Sequence, residues 1–91
     1  MKRGHVSPQP PLRSLSELPP GEVAEVVELT AEGGQRRHLL DLGLVPGTPV
    51  AAVRRSASGE PTAYAIRGAL VALRSEDTAR VRVRHRAGGE Q

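Results

Sequence analysis

The chain has 91 residues, 37% of them hydrophobic and 1% aromatic, with a formal net charge of +3. That length suits a single domain with a thin core, one that buries about 60–65% of its unfolded surface. The absence of cysteine excludes disulfides, thiolate metal sites and cysteine nucleophiles together.

Met1 to Arg13 begins basic and is rich in proline, so it is expected to form a flexible, partly polyproline-like tail. No apolar run of signal-peptide or membrane-spanning length follows it. Pro8, Pro11 and Arg13 make a P-x-x-P-x-R pattern of the kind that SH3 grooves read. Its plainer reading is a solvated tail. Ser14 to Leu18 reads as a short helical turn. Ser14 stands at its N-cap and Glu17 three residues on, the spacing of a capping box. Pro19, Pro20 and Gly21 end it.

Glu22 to Leu29 is the first expected strand. Ala24 and Val26 share a face, and Leu29 joins them only if a bulge intervenes. Thr30 to Gly34 reads as a loop and Gln35 to Leu42 as a short helix, with Leu39 and Leu42 inward and Arg36, Arg37 and Asp41 facing water. Val50 to Arg55, Thr62 to Arg67 and Ala69 to Arg74 are three further strands, separated by Ser56 to Pro61 and by Gly68. Ser75 is expected to cap one helical turn carrying Glu76 and Asp77, before a fifth strand holding Val81 and Val83. Residues 87–91 are expected to be disordered, leaving a folded unit from 14 to 86. The fold class expected is mainly β, a small five-stranded SH3-like or OB-like barrel with one short α-helix and one or two helical turns.

The corner between the helix and the second strand is spelled out residue by residue. Gly43 takes the left-handed position just past the helix, and Leu39 and Leu44 occupy the two apolar positions of a Schellman ending. Pro46-Gly47 then fits the centre of a type II turn. The whole run from Arg36 to Val50, R-R-x-L-L-x-L-G-L-x-P-G-T-x-V, resembles the signature of the FeoA family. Its structural signature residues here are Leu39, Leu42, Gly43, Leu44, Pro46 and Gly47. Ser14 to Gly21, Gly59-Glu60-Pro61, Ile66 to Arg74 and Glu76 to Val83 extend the resemblance over about residues 14–84. Pro49 departs from the pattern, and the second strand is expected to start late or lie at an edge.

The resemblance implies an SH3-like barrel that accompanies a FeoB-type ferrous iron permease. It would work in the cytoplasm, dock on the permease's cytosolic part and support or regulate transport. It implies no enzyme and no cofactor of its own. The residues agree that catalytic motifs are lacking: there is no G-x-S-x-G, no GKS/T loop and no spaced carboxylate pair. His5, His38 and His85 show neither i, i+4 nor H-x-H spacing, so no metal site is expected, and His38 reads as a surface helix residue. Gly33-Gly34 before the helix is the pattern of an anion-binding N-terminus, though also of an ordinary loop.

The candidate partner-binding residues come from the last strand. Arg80, Arg82, Arg84 and Arg86 share one face by the two-residue period, opposite to Val81 and Val83. They form either a solvated face that meets Glu22, Glu25 or Glu28 across strands, or a docking stripe for an acidic surface. The alternative function is a small basic barrel that binds RNA or DNA through this stripe, a reading weakened by the lack of interleaved aromatics. Similar barrels also form C-terminal domains of metal-dependent repressors, but this sequence shows no helix-turn-helix. Self-association is left open.

Overall fold

A computed structural model describes residues 11–86. The first ten residues, which hold most of the Pro-rich segment including Pro8, and residues 87–91 lie outside the described residues. Six strands, one helix of nine residues and two single helical turns follow in order. They are β1 (Leu12–Ser14), a 3-10 turn (Leu15–Glu17), β2 (Val23–Leu29), α1 (Gly33–Asp41), β3 (Pro49–Arg55), β4 (Thr62–Ile66), β5 (Ala69–Leu73), α2 (Ser75–Thr78) and β6 (Val81–His85). All pairings are antiparallel and the strand order is β1-β6-β2-β3-β4-β5.

The mainly-β expectation holds, with one strand more than the five expected. The addition is β1, whose Leu12, Arg13 and Ser14 pair with Arg84, Val83 and Arg82 of β6. Leu12 and Arg13 thus belong to the sheet, where the sequence predicts a flexible tail through Arg13 and a folded unit beginning at residue 14. Three residues beside prolines carry no periodic signal of their own; the strand exists because β6 presents an edge for it.

Alternation fills the core. Ala24, Val26, Val50, Ala52, Tyr64, Ile66, Val81 and Val83 are all buried, on the inward face of their strands. Leu15 and Leu18 close one end, and Leu39 and Leu44 come in from the α1 corner. The expected bulge is present: the β2–β6 register shifts between Val26 and Glu28, so Val27 is the extra residue and Leu29 packs partly buried against the core. A second shift between Ala52 and Arg54 bulges β3 at Val53.

Pro49 opens β3 opposite Glu25, and β3 lies inside the sheet, between β2 and β4. The expected late start or edge position is therefore replaced by the first residue of an interior strand, one of the few strand positions that tolerate a missing N–H. The helical boundaries shift too. Helix α1 begins at Gly33 rather than Gln35. The Gln35 side chain ties it to α2, donating to the Asp77 carboxylate at 3.0 Å and the Glu76 carbonyl at 3.2 Å.

Neither expected serine cap forms. Ser14 makes no capping hydrogen bond, and its Oγ lies 2.5 Å from Ser16 Oγ. A 3-10 turn of three residues, entered directly from a strand, does not build the α-helical first turn that a capping box needs. Ser75 is the first residue of α2, not its cap; Arg74 holds that position.

Candidate functional site

The corner is built as its residues require. Gly43 has φ 104°. Its N–H donates to the Leu40 carbonyl at 2.9 Å, and the Leu44 N–H to the Leu39 carbonyl at 3.1 Å. These are the two bonds of a Schellman ending, and Leu39 and Leu44 are both fully buried beside it. The next turn is closed by Thr48 N–H to Val45 carbonyl at 3.0 Å, with Gly47 at φ 95° in the type II position. Two further bonds fasten it to β2: Gly47 N–H to the Val26 carbonyl at 2.8 Å, and Val26 N–H to the Thr48 carbonyl at 2.9 Å. The corner thus lands next to the β2 bulge and sets where β3 starts. Its side chains are used up in packing, and the exposed Pro46 and Gly47 offer no reactive group.

The arginine residues of the last strand divide into two pairs. Arg82 and Arg84 are half-buried on the outward face of β6. Arg84 stands between Leu12 of β1 and Glu25 of β2, and Arg82 between Ser14 and Glu28. Acidic residues therefore oppose both arginines in register, yet neither forms an ion pair within 4.0 Å among the described residues, and Arg84 Nε is buried without a hydrogen-bond partner. Arg80 and Arg86 are exposed and flank the strand. The Arg80 carbonyl accepts the Thr30 N–H at 2.8 Å, and the Arg86 N–H donates to the Val23 carbonyl at 3.0 Å. The result is a mixed face, two arginines alternating with two glutamates, capped by two free basic side chains. A polyanion finds there a broken rather than a continuous positive stripe.

His85 points instead toward Glu22, with Nε2 and Oε1 2.6 Å apart, and is exposed. The pair borders a groove of about 360 Å³ whose floor includes Leu18 and Val83 and whose rim includes Arg13 and Glu17. His38 is exposed on α1, as expected. Among the described residues no group of three or more His, Asp or Glu side chains converges to hold a metal ion. Nor is any described helix long and apolar enough to cross a membrane.

Sequence reading missed a clamp. The Glu60 carboxylate accepts the Ser75 N–H at 2.8 Å through Oε1 and the Ser75 hydroxyl at 3.0 Å through Oε2. It does for α2 what a capping side chain does, from fifteen residues away. The Ser75 backbone and hydroxyl bonds hold the Glu60 carboxyl below its ordinary pKa, with the Arg74 charge assisting. The only signal in the sequence was a glutamate before Pro61, and nothing local connects it to Ser75.

Comparison with known proteins places this geometry. A family model described as the FeoA domain matches residues 13–85. The Fe(2+) transport protein A/Fe(2+) transporter FeoB fusion protein of Porphyromonas gingivalis is 35% identical over 69 residues, which are 76% of this chain and 8% of that protein. The chain thus spans less than a tenth of that relative's length. The solution structure of FeoA from Chlorobium tepidum superposes with a TM-score of 0.76 at 38% identity, covering 85% of this chain and 73% of that one. The Stenotrophomonas maltophilia FeoA, solved in complex with zinc and described as an SH3 domain protein, gives 0.70 at 34% identity, covering 77% and 87%. A manganese-dependent transcriptional repressor shares the fold alone, at 23% identity and a TM-score of 0.74 over 86% of this chain and 44% of that one. The barrel is SH3-like, and the chain belongs to the FeoA family.

Proposed function

We propose that this protein is an accessory of ferrous iron uptake that docks on the cytosolic part of a FeoB-type permease and supports or regulates transport by contact. The observation that carries the reading is the fused relative, in which a segment 35% identical to this chain shares one polypeptide with a FeoB transporter. Fusion holds two modules at high effective concentration, which helps only if they act in the same place. The iron is cargo of the permease in this reading. The chain contributes a surface, in keeping with a corner whose special residues are spent on backbone geometry.

The docking residues are Arg80, Arg82, Arg84 and Arg86. The exposed Arg80 and Arg86 supply steering charge toward an acidic surface. Arg82 and Arg84 can turn from Glu28 and Glu25 to a partner without breaking an existing ion pair. The test is co-purification with the cognate permease, with ferrous uptake measured in a deletion strain. Complementation by the parent and loss of both association and uptake in an Arg80→Ala, Arg82→Ala, Arg86→Ala variant is the expected outcome. Normal ferrous uptake without this protein, and no association, refutes the reading.

A further inference from the structure

The edge of the sheet farthest in strand order from the basic β6 face is β5, and nothing among the described residues pairs with its outer side. Its sequence, Ala69 to Leu73, contains no charge and no proline. Proteins ordinarily protect such an edge with lysine, proline or a bulge. Arg67 and Gly68, with φ 51° and 83°, form the two-residue turn that joins β4 to β5. That turn makes Ile66–Ala69 a hydrogen-bonded pair, and antiparallel alternation then directs the N–H and C=O of Leu70 and Ala72 to the open edge. Two ready donors and two ready acceptors lie there in strand geometry.

The side chains around this edge define what it accepts. Leu70 is 61% exposed. It continues a row of small residues on the outward face, Leu70–Ala65–Ala51–Val23, and Ala72 lies beside Ala63 in the next row. A side chain from an added strand would settle against these low alanines. Beyond the apolar segment an arginine stands at each end: Arg67 precedes it, Arg74 follows it with the Glu60 carboxylate nearby, and Arg54 extends the Ala63–Ala72 row, all three arginines exposed.

We infer that β5 is a strand-addition site for an extended segment of a partner protein, apolar at alternate positions and acidic at both ends. The charge excludes the other occupants. Pairing of β5 with a second copy sets Arg67 and Arg74 of one chain beside those of the other in either strand direction, a like-charge juxtaposition. The first ten residues of this chain carry Lys2 and Arg3 and no acid, and the last five, Ala-Gly-Gly-Glu-Gln, offer no apolar alternation. An acidic-ended partner strand alone satisfies both the backbone groups and the flanking guanidinium groups. The inference stands apart from permease docking, which uses the β6 face; either can fail without the other.

The test uses the full isotope-labelled chain and a synthetic peptide of alternating valine and threonine with two aspartates at each end. A second peptide carries lysines in their place. The acidic peptide is expected to shift the Leu70 and Ala72 amide resonances saturably, and the lysine-ended peptide to bind at least about tenfold more weakly. Ala72→Pro removes one free edge N–H and fills the edge without breaking the β4 ladder, so it abolishes binding and leaves the melting temperature within a few degrees. Arg74→Gln narrows the preference between the two peptides. The inference is overturned by equal binding of both peptides, or by unmoved Leu70 and Ala72 resonances. It is equally overturned by a dimer that Ala72→Pro dissociates, or by a peptide of the first ten residues binding at the same amides.

Discussion

Gly43 is the position where the corner can be tested most sharply. A Cβ placed on it would lie 2.6 Å from Arg67 Cδ, 3.2 Å from Arg67 Cγ and 3.3 Å from Ile66 Cγ2. Two costs separate. The backbone cost comes from φ 104°, which an L side chain adopts at a penalty of about 1–2 kcal/mol. The steric cost comes from neighbours, and here flexibility decides. The Arg67 stem is exposed and can swing away, whereas Ile66 is 1% exposed and cannot. Gly43→Ala should therefore cost the backbone penalty plus the crowding of its Cβ, 3.3 Å from the buried Ile66 Cγ2. Gly43→Val pushes a γ-methyl toward Ile66 and adds about 1–3 kcal/mol of overpacking, for a total of about 2–5 kcal/mol. A domain of this size has about 5–14 kcal/mol of stability in all, so the valine variant folds at room temperature but melts early. At roughly 4–8 °C per kcal/mol, the expected fall is at least about 8 °C for valine and about 4–16 °C for alanine. The assay is thermal unfolding followed by circular dichroism. Arg67→Ala in the Gly43→Ala background isolates the steric part: it restores whatever the stem clash costs and leaves the φ penalty in place. A Gly43→Val protein that melts within a degree of the parent refutes the Schellman account.

Gly47 gives the contrast, because its φ is 95° but a Cβ there meets nothing within 4 Å. Gly47→Ala should cost the backbone penalty alone, about 1–2 kcal/mol, and a double substitution at Arg67 should not rescue any of it. Glu60→Gln weakens the clamp on Ser75 and lowers the melting temperature at neutral pH. Since the Glu60 carboxyl is held below its ordinary 4.5, the stability it supplies is present above that pH and fades as pH falls through the lower folded value. The gap between parent and Glu60→Gln melting curves should accordingly close below pH 4.5, and a constant gap down to pH 2 would contradict the clamp. Burial raises the Tyr64 phenol above its ordinary 10.0 against the opposing hydrogen bonds of Thr78 and Thr62. Its contribution is complete below pH 10.0 and is lost as pH climbs toward the folded value, so Tyr64→Phe should flatten the alkaline limb of the stability curve.

Legibility in this sequence follows the range of the interactions. The helix stop and the turn of the α1 corner were legible because their own closing bonds span five residues or fewer, whereas the bonds from Gly47 and Thr48 to Val26 of β2 were not. The β2 bulge was visible for the same reason: Leu29 falls out of phase with Ala24 and Val26 unless one residue is inserted, and Val27 is that residue. Strand β1 was hidden because Leu12 to Ser14 has no pattern apart from its partner β6. The serine caps were misread because the sequence offers Ser14 and Ser75 as local acceptors. The fold instead gives Ser14 to a strand and lets Glu60 reach Ser75 from another loop.

The candidate surfaces show the same limit from the other side. Strand periodicity put Arg82 and Arg84 on the outward face, and the expected meeting with Glu22, Glu25 or Glu28 occurs at Glu25 and Glu28; which glutamate faces which arginine was not legible, because register is a property of two strands. Nor could periodicity show which strand would be left as an edge. In the sequence, Ala69 to Arg74 reads only as one more strand, and its Val71 and Leu73 do pack on the core. Its outward Leu70 becomes informative only once the strand order leaves β5 without a second neighbour. Arg67 and Arg74 likewise gain meaning as a pair, seven residues apart in the chain but at the two ends of one open edge. A family signature spent on a helix stop therefore identifies the fold, whereas partner choice rests on rows and edges that exist only after the sheet has formed.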